Sequence, residues 1–152
     1  MDGTVKFHLK IPEGNVFFTP QEIVYQIPYN RNAENQPDRL SIEMEQDSLQ
    51  NLGFENVRMT FLGANEKLRI EGEEENGAKA NFFRGNNPEN WVAGVWTYQK
   101  LIYRDLYPDI DLILYGDNGR IKQEYRIKNG GDAENIRVSY KGAERLGITD
   151  EG

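Results

Sequence analysis

Alternation with period two governs this chain. Val5, Phe7, Leu9 and Ile11 are separated by Lys6, His8 and Lys10. Successive side chains of a strand point to opposite faces, so this spacing predicts a half-buried β-strand. The pattern recurs in Leu40, Ile42 and Met44, in Val57, Met59 and Phe61, in Ile110, Leu112 and Leu114, and in Ile136, Val138 and Tyr140. Val16-Phe17-Phe18 and Ile23 to Ile27 flank Thr19-Pro20-Gln21-Glu22, which reads as a hairpin with a four-residue turn. Asn118-Gly119 lies between two further alternating runs and is the strongest hairpin signal in the chain.

The segments between these runs predict connections. Pro28 to Asp38 is polar, rich in Asn and Pro, and reads as a surface loop. Asp47 to Phe54 reads as a helical turn or a wide connection. Glu71 to Gly77 reads as an acidic hairpin tip between a strand begun by Leu68 and Ile70 and one at Lys79 to Phe83. Asn87-Pro88-Glu89 carries a cap residue, a proline at the first helical position and an acid in the first turn, which predicts a short helical turn. About ten short strands at 8–12-residue spacing result, with almost no helix. The expected fold is all-β: a two-layer antiparallel β-sandwich with one or two single-turn helices. The length of 152 residues fits one domain, 1–152.

Composition narrows the chemistry. The chain has no cysteine and one histidine, which excludes a thiolate nucleophile, a disulfide framework and a Cys- or multi-His zinc site. A net charge of −7 argues against non-specific binding to nucleic acid or an anionic membrane, both of which reward a basic surface. No apolar run approaches the ~20 residues of a membrane-spanning helix. No nucleophile elbow, P-loop or dinucleotide-binding glycine pattern is present, and no period of 20–50 residues recurs. The N-terminus lacks the basic and apolar regions of a signal peptide, and the last residues, Thr149 to Gly152, read as a turn with no strand after it. A chain ending on a turn is expected to be a fragment of something longer.

An ordered series of segments sharpens this picture. They are VRMTFLGAN from Val57, IEGEEENG from Ile70, NFFRGNNPENW ending at Trp91, TYQKLIYRDLYPDIDLILYG from Thr97, DNGRIKQEYRI from Asp117 and GDAENIRVSYKGAERLGI from Gly131, with NVFFTPQEIVYQ from Asn15 before them. The most specific runs from Tyr103 to Leu112. Together they resemble the uncharacterised N-terminal domain that precedes SBBP β-propeller repeats in secreted or surface-attached bacterial proteins. The resemblance implies a non-catalytic accessory region of an exported multidomain protein, extracellular or at the cell surface, its leader outside this chain. It implies adjacent domains of the same chain as partners and brings no catalytic residue or cofactor.

Each candidate site has a plainer rival. His8, flanked by Lys6 and Lys10, reads as a surface residue. Asp109 and Asp111, two apart, would share one strand face and are weak calcium candidates, with Asp117 as a further oxygen donor. The preferred reading is that Asp105, Pro108 and Asp109 shape a turn while Asp111 faces water opposite Ile110 and Leu112, because an unpartnered buried carboxylate is costly. The Glu71 to Glu75 run reads as a solvated tip guarding a sheet edge. Trp96 and Tyr98, with Thr97 between them, share a strand face and with Trp91 form a candidate ligand surface. Trp91 itself reads better as a plug at one end of the fold.

The expected function is therefore a structural or interaction domain with no catalytic, cofactor-binding or firm metal site. The alternative is a carbohydrate-binding module using the surface aromatics, with a glycan or surface protein as partner and calcium as an aid. A hydrolase built on generic acids ranks last. An open edge near Ile136 to Ile148 predicts an edge-strand homodimer.

Overall fold

A computed structural model describes residues 5–31, 51–82, 92–117, 120–143 and 147. Among the described residues nine strands follow in order: β1 (Phe7–Ile11), β2 (Gly14–Phe18), β3 (Glu22–Asn30), β4 (Leu52–Phe61), β5 (Arg69–Phe82), β6 (Val92–Tyr107), β7 (Ile110–Asp117), β8 (Arg120–Ile127) and β9 (Val138–Lys141). A 3₁₀ turn, Ala133–Asn135, precedes β9. The chain is all-β, and every strand pair is antiparallel. By its contacts it divides into two compact units, Met1–Gly63 with Ile136–Gly152, and Ala64–Asn135.

The first unit holds a five-stranded sheet in the order β1-β2-β3-β4-β9. Its register places Val16, Phe18, Ile23, Met59 and Phe61 on one face, and all five are buried. Each such side chain contributes roughly 1.5–3 kcal/mol through burial. The opposite face carries the exposed Glu22–Arg58 ion pair. Phe18 pairs with Ile23, so the four-residue turn expected at Thr19 to Glu22 is present. The Thr19 hydroxyl closes it, donating to the Glu22 carbonyl at 2.9 Å and accepting the Glu22 N–H at 3.0 Å.

Two expected connections are strand in part: Pro28 to Asn30 and Leu52 to Phe54, while Asn51 is 3₁₀ and 47–50 lie outside the described residues. β3 runs through Pro28 to Asn30, and β4 begins at Leu52, with Pro28 opposite Phe54 and Tyr29 opposite Gly53. Pro28 is tolerated because its ring nitrogen faces the end of β2: its Cδ lies 3.1 Å from where a Cβ on Gly14 would stand. The ladder has stopped there, so the missing N–H costs no hydrogen bond. The rest of the loop expected up to Asp38, the strand at Leu40 to Met44 and the helical turn at Asn87 to Asn90 lie outside the described residues.

The second unit holds a four-stranded sheet in the order β5-β6-β7-β8. Asp117 pairs with Arg120, which leaves the two-residue connection expected from Asn118-Gly119. The acidic run is not a hairpin tip. Glu71 to Glu75 lies inside the 14-residue β5 and pairs with β6 as far as Glu75 opposite Tyr98. Cross-strand cations make this possible. Arg104 on β6 reaches both Glu71, at 3.0 Å, and Glu73, and Lys100 meets Glu74 at 2.5 Å. These contacts run diagonally, since Arg104 stands opposite Arg69 and Lys100 opposite Glu73, and they offset the repulsion that unopposed glutamates would exert on one another. The expected tip survives only as an irregularity: the register slips between Glu75 and Lys79, with positive φ at Glu74 (57°) and Gly77 (74°). β5 and β6, 14 and 16 residues long, take the place of several shorter strands.

Candidate functional site

The segment from Tyr103 to Leu112 builds the most distinctive site, at a fault in the β6–β7 ladder. Tyr103 pairs with Leu112 and Tyr107 with Ile110, so Arg104, Asp105 and Leu106 all stand opposite the single residue Asp111. Such a bulge leaves backbone groups without ladder partners. Asp105 absorbs the extra length by taking a left-handed φ of 50°, a conformation Asp tolerates better than most residues. Its N–H then donates to Asp111 Oδ1 at 2.8 Å. A side-chain carboxylate supplies the acceptor that the ladder has lost.

Asp111 is buried, only 1% exposed, and does not face water as expected. The expectation rested on the cost of an unpartnered charge, and here the charge is partnered. The Lys128 ammonium lies 2.8 Å from Oδ1, and the Arg104 guanidinium 3.6 Å from Oδ2. Burial pushes the Asp111 carboxyl up, but the Asp105 N–H and the Lys128 and Arg104 cations outweigh it and hold the group below the usual carboxylate range. Lys128 also meets Asp105 at 2.7 Å. Its hydrogen bonds to Asp105 and then Asp111 raise its pKa. Arg104 is raised as well, first by its hydrogen bond to Glu71 and then by the charges of Glu73 and Asp111.

The other calcium candidates are not gathered around this carboxylate. Asp109 occupies the Pro108-Asp109 turn with φ 59°, and its carbonyl accepts the Lys128 N–H at 2.8 Å. Asp117 ends β7, 3.7 Å from the Lys122 ammonium. Among the described residues, no group of three or more His, Cys, Asp or Glu side chains is placed to hold a metal ion. Around the clasp, Tyr103, Leu106, Tyr107, Ile110 and Leu112 are each at most 1% exposed.

A second surface lies farther along β6. Trp96 stands opposite Lys79 and Tyr98 opposite Glu75. Trp96 is 44% exposed, and the Lys79 ammonium, cross-strand from it, sits 4.2 Å from its ring centroid. Tyr98 is half-buried, its ring laid over Gly72, where an added Cβ would come within 2.3 Å of the ring. Trp91 lies outside the described residues. His8 is half-buried rather than fully exposed: its Nε2 lies 3.0 Å from Asn15 Oδ1, and its ring stacks on Phe17.

Sequence reasoning missed the cations. Lys128 and Arg104 give no periodic signal that links them to Asp111. The one available hint was the charge alternation Arg104-Asp105 within an otherwise apolar segment. No helix among the described residues is long and apolar enough to cross a membrane.

Fold and site together define an all-β protein of antiparallel sheets in which the buried carboxylate of Asp111 ties strands together. The chain belongs to the family described as Domain of unknown function (DUF7948), whose model matches residues 1–152. No curated protein and no solved structure matches the chain.

Proposed function

We propose that this chain is a non-catalytic structural and interaction module of an exported or cell-surface bacterial multidomain protein, seated ahead of β-propeller-type SBBP repeats. One observation carries the reading. The segment most specific to the resemblance, Tyr103 to Leu112, serves as packing and as a clasp: its apolar residues are core, and its buried carboxylate is committed to a backbone N–H and two cations. A motif made of such residues preserves a shape. Producing the domain with its native continuation tests this. The longer chain is expected to carry propeller-type repeats and to raise the domain's melting temperature by several degrees. A continuation without such repeats, or an unchanged melt, contradicts the reading.

A second reading, carbohydrate binding, is favoured by one specific observation. Trp96 spends its large ring on the surface, where folding gains little from it. A panel of glycans titrated against the intact chain by calorimetry tests it, and silence across the panel removes it.

A further inference from the structure

The chain contains three Asn-Gly pairs, beginning at Asn76, Asn118 and Asn129. Such a pair has a chemistry of its own, because glycine carries no Cβ to shield the main-chain nitrogen that follows the asparagine. That nitrogen can attack the asparagine side-chain carbonyl when it is neither held in a ladder nor covered. Asn118-Gly119 lies outside the described residues, and Asn76-Gly77 belongs to β5. Asn129-Gly130 stands in a turn directly after Lys128, the cation that partners Asp111.

Three observations meet at this turn. The Gly131 N–H donates to the Lys128 carbonyl at 3.0 Å, and Gly130 takes a φ of 99°. This is the four-residue turn that favours glycine as its third member. Its closing bond joins the outer residues, so the central peptide between Asn129 and Gly130 takes no part in it. Among the described residues, no hydrogen bond engages the Gly130 N–H. Asn129 and Gly130 are both exposed. A Cβ built on Gly130 would meet, among the described residues, only the Asp109 carboxylate at 3.5 Å. The nucleophile is free and its approach is open.

We propose that Asn129 is a site of spontaneous deamidation to isoaspartate and aspartate, and that this conversion loosens the clasp around Asp111. The Gly130 nitrogen gives up its proton to solvent and bonds to the Asn129 side-chain carbonyl carbon. The bond from that carbon to the amide nitrogen breaks, and the nitrogen takes up a proton and leaves as ammonia. A succinimide ring remains, and water opens it. Attack at the side-chain carbonyl gives aspartate. Attack at the main-chain carbonyl gives isoaspartate, whose main chain runs through the former side-chain carbon. One water is consumed and one ammonia released, with no change of oxidation state.

The effect on the clasp follows from how Lys128 is held. Its N–H donates to the Asp109 carbonyl at 2.8 Å, and its carbonyl accepts from Gly131. Isoaspartate adds a main-chain carbon between Lys128 and Gly131, which the closing bond of the turn cannot span unchanged. Either product also adds a carboxylate next to Lys128 in the chain. That is a new rival for an ammonium that meets Asp105 at 2.7 Å and Asp111 at 2.8 Å.

Ageing the intact chain in mildly alkaline buffer, followed by peptide mapping and enzymatic methylation of isoaspartate, tests the inference. The peptide holding Asn129 is expected to gain the mass of one amide-to-acid conversion and to accept a methyl group. Asn129→Gln keeps the amide but would have to close a larger ring, so it is expected to stay unconverted at this position. An Asn129 peptide unchanged at the end overturns the site. In the converted protein the Asp111 carboxyl is expected to titrate at a higher midpoint than in fresh protein, because a weakened Lys128 contact favours its charged form less. Aged Asn129→Gln is expected to keep its fresh midpoint. Identical midpoints in fresh and converted native protein, or an equal shift in aged Asn129→Gln, overturn the link to the clasp.

Discussion

The two sheets handle charge in opposite ways. The five-stranded sheet keeps its charge at the surface: one face buries Ile23, Met59 and Phe61, and Glu22 and Arg58 meet on the other in contact with water. The four-stranded sheet buries a carboxylate beside residues as apolar as Ile110 and Leu112. The difference follows from the ladders. β3 and β4 pair without a break from Glu22–Thr60 to Asn30–Leu52, whereas β6 carries surplus residues opposite Asp111. An unbroken ladder satisfies its own backbone, and a bulged one needs a polar side chain from elsewhere. Buried charge here is a consequence of irregular pairing.

The comparison can be broken most forcefully at Asp111. Asp111→Ala strands the Asp105 N–H and leaves two cations facing a cavity, so a loss of about 3 kcal/mol is expected in urea unfolding. The matched substitution in the other sheet, Glu22→Ala, is expected to cost under about 1 kcal/mol, because its partner is solvated. Equal losses at the two positions would dissolve the contrast.

A smaller effect is expected where the sheets agree. Each places a tyrosine ring on a glycine: Tyr29 over Gly53, and Tyr98 over Gly72. A Cβ at either glycine would stand within 2.4 Å of its ring, so the ring must swing away. Gly53→Ala and Gly72→Ala are each expected to cost about 1 kcal/mol, the scale of an off-rotamer side chain with lost packing. Changed NMR shifts confined to the paired tyrosine would confirm the cause. If only one variant showed them, the shared device would be absent from the other sheet. The smallest effect belongs to Glu74→Gln, which removes one exposed ion pair with Lys100 and is expected to change stability by less than about 0.5 kcal/mol.

The regular parts of this architecture were open to sequence reading, and the faults were not. Strict alternation at Phe7 to Ile11 and at Val57 to Phe61 gave strands because period two has one structural meaning there. The Thr19 to Glu22 turn and the Asn118-Gly119 connection followed from turn chemistry. The acidic stretch misled because five residues with four glutamates have poor strand propensity alone. Arg104 and Lys100, some thirty positions away, reverse that preference, and no local rule anticipates them. Pro28 misled for a related reason: its place in β3 depends on where β2 stops. Asp111 was assigned to the correct face of β7, opposite Ile110 and Leu112, but its burial depended on Lys128 arriving from beyond the next strand. The Lys79 contact on Trp96 had no local signal, because the two residues meet only through the β5–β6 register.

Asp111 also sets the acid limb of stability. Its folded-state pKa lies below the unfolded value near 3.9. The stability it contributes is therefore fully present above that value and is lost as pH falls through the folded one. The most direct measurement is a carbon-detected NMR titration of the Asp111 carboxyl in the intact chain. A midpoint clearly below that of an ordinary aspartate, with the Asp105 amide shifting in step, is the result expected of an ionised group clasping β6 to β7. A midpoint at or above the ordinary value, or an Asp105 amide indifferent to the titration, would contradict it.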